Sequence, residues 1–334
     1  MRPRFGATLF WAVLLTLALL PFSLSGCAPR ENPPEEEPAE DAVLLGFSQL
    51  GWESAWRIGN SLDIQAAAER AGVQLMFDNA QQKQENQIKA IRSFIAYQVD
   101  VIAFAPIVEQ GWDTVLQEAK DAGIPVLLTD RLIVTEDPSL YVGYVGADFL
   151  AEGRRAGEFL VEKADREGLT DLKIVELSGT PSSSPMQQRG EAFRECIAGD
   201  PRFEIVETMS GDFLRSKGKE CMQEMLERHE RIDVLFSHND AMTLGAIEAI
   251  EEAGLRPGED VIIITVDGEQ AAIDFLQEGK INCVVECTPM LGDIIMDLAK
   301  KLAAGEEIPR VTNPEERSFT EFDEDLMDIP PRGY

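Results

Sequence analysis

Ten short apolar runs, separated by stretches of helical periodicity, constrain this chain more than any other feature. The runs fall at 43–47, 73–77, 100–104, 126–129 and 141–145, then at 172–177, 203–206, 234–236, 261–266 and 282–286. Each has strand length and lacks the polar alternation of a one-sided sheet, as expected of parallel strands covered on both faces. The intervening segments read as helices. In 84–97, Ile88, Ile91 and Ile95 share one face and are expected to pack on a sheet, with Gln87, Lys89 and Arg92 pointing elsewhere. Strand and helix alternating in two sets of five predicts an α/β protein with two parallel sheets. A single (β/α)8 barrel would need eight strands, and two fives argue against it. From residue 305 onward the chain is acidic, proline-rich and irregular, with one short strand expected at 317–320, and is predicted to cross between the lobes.

The ends of these strands carry the polar groups. The run at 124–129 closes on Asp130 and Arg131, side by side. In open α/β sheets the crevice beyond the carboxyl ends of the strands binds ligands, so this pair is aimed at a cleft. A carboxylate accepts hydroxyl protons and a guanidinium donates a planar fork, which together suit a vicinal diol. The alternative is an ion pair capping the strand.

The N-terminal residues indicate export. Arg2 and Arg4 precede a segment, 5–24, without one charged residue, and Leu24-Ser-Gly-Cys27 follows. A basic start, an apolar stretch and small residues at the cut make a secretion signal, expected at 1–26. The ending resembles the bacterial lipobox, which makes Cys27 the expected acylated terminus. An uncleaved membrane helix is the alternative. Residues 31–41 hold three prolines and six acids and no base, too little apolar surface to fold, so 27–41 is expected to be a tether. Among the other cysteines, Cys283 and Cys287 lie too far apart along one strand to bridge, whereas Cys196 and Cys221 could pair.

Composition narrows the classes. Thirty basic against 60 acidic residues give a formal charge of −30, which would repel a polyanion and argues against nucleic acid. No metal or cofactor is expected: 321–328 is acid-rich but lacks the glycine of a calcium loop. The serines 182–184 could cradle phosphate but serve equally as helix N-caps. An enzyme is not expected. There is no nucleophile elbow, zinc-helix motif or phosphate loop, and only His229 and His238 to work with.

Several blocks, taken in order, resemble a known family: Gly51-Trp-Glu-Ser-Ala-Trp-Arg57, Gln81-Gln-Lys-Gln-Glu-Asn-Gln-Ile-Lys-Ala90, Ala105-Pro-Ile-Val-Glu-Gln-Gly-Trp112, Thr129-Asp-Arg131, Ser210-Gly-Asp-Phe-Leu-Arg-Ser-Lys-Gly218 and Ser237-His-Asn-Asp240. Over 42–334 the chain resembles the periplasmic sugar-binding proteins of ABC importers related to ribose-binding protein, and most closely their galactofuranose-binding member. The resemblance implies the type I periplasmic binding protein fold, two Rossmann-like lobes joined by a three-segment hinge: 42–146 with 287–311, and 147–286 with 312–334. It implies a monosaccharide held between the lobes by Glu53, Trp56, Arg57, Asp130, Arg131, Arg189, Phe213, Asn239, Asp267 and Glu286, with Trp52 or Trp56 as the stacking indole. It further implies a monomer that delivers sugar to an ABC permease, or a sensor subunit that signals to a chemoreceptor or kinase. At the position of Glu286 the ribose relatives typically carry glutamine, and their first loop carries phenylalanines rather than Trp-Arg. Those departures point away from ribose and towards galactofuranose or a related furanose hexose, whose exocyclic diol suits an added arginine and carboxylate.

Overall fold

A computed structural model describes residues 42–334; the export signal, Cys27 and the tether lie outside the described residues. The first lobe runs β1 (Leu44–Gln49), α1 (Ala55–Ala71), β2 (Gln74–Asn79), α2 (Gln84–Ala96), β3 (Val101–Phe104), α3 (Asp113–Asp121), β4 (Val126–Thr129) and β5 (Gly143–Val145). The second runs α4 (Phe149–Glu167), β6 (Leu172–Ser178), α5 (Ser184–Ile197), β7 (Phe203–Ser210), α6 (Arg215–Arg228), β8 (Val234–Ser237), α7 (Asp240–Glu252), β9 (Ile262–Asp267), α8 (Gln270–Gln277) and β10 (Cys283–Glu286). The chain then returns through α9 (Gly292–Ala303) and β11 (Val311–Thr312) to the first lobe. It crosses a last time to β12 (Ser318–Thr320).

Each sheet gains a sixth strand beyond the two fives: β12 is the short strand expected at 317–320, and β11 was not expected. The orders are β11-β5-β4-β3-β1-β2 and β12-β10-β9-β8-β6-β7, parallel throughout except where β12 runs antiparallel to β10. In both sheets the chain steps first to one side, to β2 or β7, and then to the other, so the crevice at the carboxyl ends opens at the reversal of strand order. Two apolar clusters cover the faces of each sheet, which is why the strands read as unbroken apolar runs. The two crevices face each other, and the crossings are tied together, Asn313 Nδ2 donating to Gly146 O (2.7 Å) and Thr288 N to Glu316 Oε1 (2.8 Å).

One expectation is corrected, and the open question of a Cys196–Cys221 pair is answered. Gln87 is fully buried rather than solvent-facing, and the inward face of α2 is Gln87, Ala90, Ile91 and Phe94, with Ile88 and Ile95 at its margins. Its amide donates to Ala105 O (2.7 Å) and accepts from Ile107 N (3.0 Å), satisfying backbone that no strand pairs. Cys196 and Cys221 are both free. Helix α5 packs with α4 on one face of the second sheet, whereas α6 packs with α7 on the other, so the sheet stands between the two sulfurs. Among the described residues no helix is long and apolar enough to cross a membrane.

Candidate functional site

The facing strand ends line a tight cleft with room for about 30 Å³ of water-sized space, bounded by Glu53, Ser54, Trp56, Arg57, Asp130 and Arg131 from the first lobe, Pro185, Arg189, Phe213, Asn239 and Asp267 from the second, and Cys287 from a crossing. Nine of the ten residues singled out in the sequence meet here. Glu286 does not: its carboxylate is held by Arg332 and accepts from Arg317 N (3.1 Å), turned away from the cavity. Of the two indoles, Trp56 lines the cavity and is 4% exposed. Trp52 is 47% exposed and leans on Phe77 instead.

Local structure explains the placement. Ser54 caps α1 by accepting from Arg57 N (3.2 Å), which sets Trp56 and Arg57 in the first turn, at the crevice. The Trp56 indole donates to Cys287 O (2.6 Å) and so ties α1 to the second crossing. Beyond β4 the chain turns sharply: Asp130 has φ 60, and Tyr144 holds its carbonyl from below (2.8 Å). Phe213 (φ 62) and Asp267 (φ 126) also adopt conformations that side chains rarely take, so three cavity residues carry backbone strain, as groups aimed at a ligand often do. Asn239 serves twice, capping α7 through Met242 N (3.0 Å) while lining the cavity. Gly179 lets the Phe213 ring approach, since a Cβ there would lie 1.9 Å from its Cζ.

The charges form a chain around the cavity. Arg57 bonds Glu53 (3.2 Å), Asp130 (2.6 Å) and Gln49 Oε1 (3.2 Å). Burial opposes its charge, but Asp130 and Glu53 more than offset this and raise it above its ordinary value. Arg131 donates to Ile107 O (3.1 Å), the backbone that Gln87 fixes, and lies over the Phe213 ring of the other lobe (5.3 Å). Burial and the neighbouring Arg57 push it down to about 10. Arg189 is fastened by Glu152 (2.7 Å) and by His238 O (2.6 Å), with Asp267 at 4.0 Å. Burial, then Asp240, raises Asp267 well above the usual carboxyl range, which favours its protonated form. Glu53 Oε2 and Arg131 Nε are buried without a protein partner. Donors and acceptors in near balance, between an indole and a phenyl ring, suit a small neutral molecule rich in hydroxyl groups.

The lobes meet directly beside this ring. Glu109 N donates to Ser182 O (3.1 Å), Leu132 N to Ser184 Oγ (2.9 Å), and Gln187 to the Glu109 carboxylate. The serines at 182–184 thus belong to lobe contact, and the N-cap residue Ser183 makes no side-chain cap bond. Glu152, Cys287 and Glu316 bring one donor atom each within 4.8 Å of one another. Glu152 is committed to Arg189, and burial raises the Cys287 thiol and lifts Glu316 to about 8, so the trio retains protons that metal binding would have to displace.

Residues 46–307 match the family model described as a periplasmic binding protein domain. The chain belongs to the periplasmic binding protein family. It is 42% identical, over 262 residues, to the galactofuranose-binding protein YtfQ of Escherichia coli K12, covering 78% of this chain and 81% of that one. A crystal structure from Mycobacterium smegmatis in complex with β-D-fucofuranose is 48% identical with a TM-score of 0.82, covering 84% and 92% of the two chains. The binding component of the arabinose ABC transporter of Shewanella sp. ANA-3, bound to α- and β-L-arabinofuranose, is 41% identical with a TM-score of 0.81, covering 86% and 94%.

Reading the sequence missed the residues that hold the site together: Gln49, Gln87, Glu152, His238 and Cys287. One of them left a visible signal. Glu152 lies on the apolar stripe of α4, three residues after Phe149 and four before Ala156, where an unpaired carboxylate would be costly.

Proposed function

We propose that this protein captures a monosaccharide in its furanose form, galactofuranose ahead of arabinofuranose, between its two lobes and delivers it to an ABC permease. The observation that carries the reading is the cavity wall. Three guanidinium groups and three carboxyl groups, contributed by both lobes and flanked by Trp56 and Phe213, present fixed hydrogen-bonding groups to a hydroxyl rim and flat rings to its C–H faces. Relatives alike over most of their length carry furanoses, which supports the ring form. Arg57 and Glu53 pair with each other, yet both line the cavity, and Glu53 Oε2 is free to accept from an exocyclic diol. Galactofuranose, whose exocyclic diol reaches that group, is therefore placed ahead of arabinofuranose, which leaves it unpaired and should bind less tightly.

The role assigned is capture and release, with no bond made or broken. Lobe contacts at Glu109, Leu132 and Arg131 form as the cleft closes, so closure and sugar binding stabilise each other. At the other end of the chain, acylation at Cys27 would hold the protein to the membrane through the acidic tether. Cys27→Ala should then yield soluble or unprocessed protein, and anchoring unchanged in that variant contradicts acylation.

A thermal-shift panel of L-arabinose, D-galactose, D-ribose and D-fructose, with calorimetry on the hits, tests the ligand. Galactose or arabinose is expected to bind tightest. Ribose binding more tightly than both would overturn the furanose-hexose assignment.

A further inference from the structure

The residues Arg332 and Tyr334 lie outside the cavity, beside the turn that carries Asp267. Arg332 binds the Glu286 carboxylate and donates from Nε to Gly268 O (3.0 Å) and from its backbone N to Gln270 Oε1 (2.9 Å). Gln270 N in turn donates to Tyr334 O (2.9 Å). The Tyr334 hydroxyl accepts from Arg332 (3.1 Å) and donates to Asp267 O (3.3 Å). Together they hold from behind the Asp267–Gly268 turn, whose φ values of 126 and 89 are ones that ordinary side chains avoid. That turn aims the Asp267 carboxyl into the cavity.

Tyr334 also reaches the other lobe. On α1, three residues after Trp56 and two after Arg57, sits Gly59, and a Cβ there would lie 2.8 Å from Tyr334 Cβ. Glycine within a helix is unfavourable relative to alanine, so its presence in α1 fits a need for close approach. The segment thus touches both lobes beside the second crossing, where Pro289 also lies against Gly59. It occupies Glu286 as well, which explains why that carboxylate is turned from the cavity.

We propose that Arg332 and Tyr334 are positioning residues of the binding site: they fix the Asp267 turn and bridge it to α1 at Gly59, holding the cleft closed on its ligand. This rests on the sugar-binding reading above. Opening the cleft separates Gly59 from the Asp267 turn, so the bridge must break before sugar leaves. Its contribution therefore appears in the dissociation rate.

The test is stopped-flow tryptophan fluorescence with L-arabinose and D-galactose as probes, reading Trp56 in the cavity wall. Tyr334→Ala and Arg332→Ala should each raise the dissociation rate by about tenfold, with association changed little. Tyr334→Phe, which keeps the ring against Gly59, should stay nearer the parent. Gly59→Ala should speed dissociation in the parent but have no further effect in Tyr334→Ala, a non-additivity that marks direct coupling. Parent-like dissociation in Tyr334→Ala, or additive effects of Gly59→Ala and Tyr334→Ala, overturns the bridge while leaving sugar binding intact. Failure of the parent protein to bind either probe overturns both readings.

Discussion

Replacing Arg131 by alanine should weaken sugar binding while leaving the fold almost untouched, because its neighbours are already paired without it. Asp130 keeps Arg57 at 2.6 Å, and Arg131 Nε is 3.9 Å from that carboxylate, too far to bond. The one firm protein bond lost is to Ile107 O, worth about 1.5–3 kcal/mol for a charged donor. Burial and Arg57 already disfavour the Arg131 charge, which reduces that cost. Against a ligand hydroxyl, a charged donor contributes about 1.5–3 kcal/mol, so Kd should rise about ten- to a hundredfold. Arg57→Ala is the contrast. It strands both Glu53 and Asp130 in a buried site, and breaking such a pair costs about 3–5 kcal/mol of stability. Calorimetry with the tightest-binding sugar and urea denaturation of the sugar-free protein measure both quantities for both variants. If Arg131→Ala binds sugar like the parent but unfolds several kcal/mol more easily, Asp130 and Arg131 are a strand-end ion pair and the reasoning fails.

Glu152→Ala should lower both stability and affinity, the former by about 3–5 kcal/mol, since Arg189 loses the carboxylate bonded to its Nε; denaturation and calorimetry report the two. Gly179→Ala should cost about 1–3 kcal/mol by overpacking and displace the Phe213 ring from Arg131, raising Kd without altering any polar group, as calorimetry would show. Glu316 is lifted to about 8 by burial and by Glu152, so the folded protein holds a proton that the unfolded chain gives up near pH 4.3. Stability should therefore fall as pH rises from about 4.3 to about 8, and Glu316→Gln should flatten that fall in urea midpoints taken across the window.

The strands were legible because burial on both faces writes them as unbroken apolar runs, and the cavity residues because they stand at the ends of those runs. Asp130 follows β4 directly and Asp267 closes β9, so strand assignment alone aimed them correctly. What stayed hidden depends on partners distant in sequence. Glu286 also ends a strand, but Arg332 arrives 46 residues later to claim it, and no local pattern announces that. Gln87 looked solvent-facing because a polar residue on a helix usually is; its burial follows from the unpaired amide at Ile107. The two residues of β11 are too few for any periodicity to register. Cys196 and Cys221 fall on successive helices, but the crossover places those helices on opposite faces of the sheet.

Capture by closure makes the shape of the molecule depend on its ligand, and small-angle X-ray scattering reads that shape directly. The lobe contacts at Glu109–Ser182, Leu132–Ser184 and Arg131–Phe213 span the cleft, so opening it would break them. Scattering recorded without sugar and at saturation with L-arabinose or D-galactose should show a smaller radius of gyration in the bound state. An unchanged curve at a concentration where calorimetry shows the site full would contradict closure on the sugar.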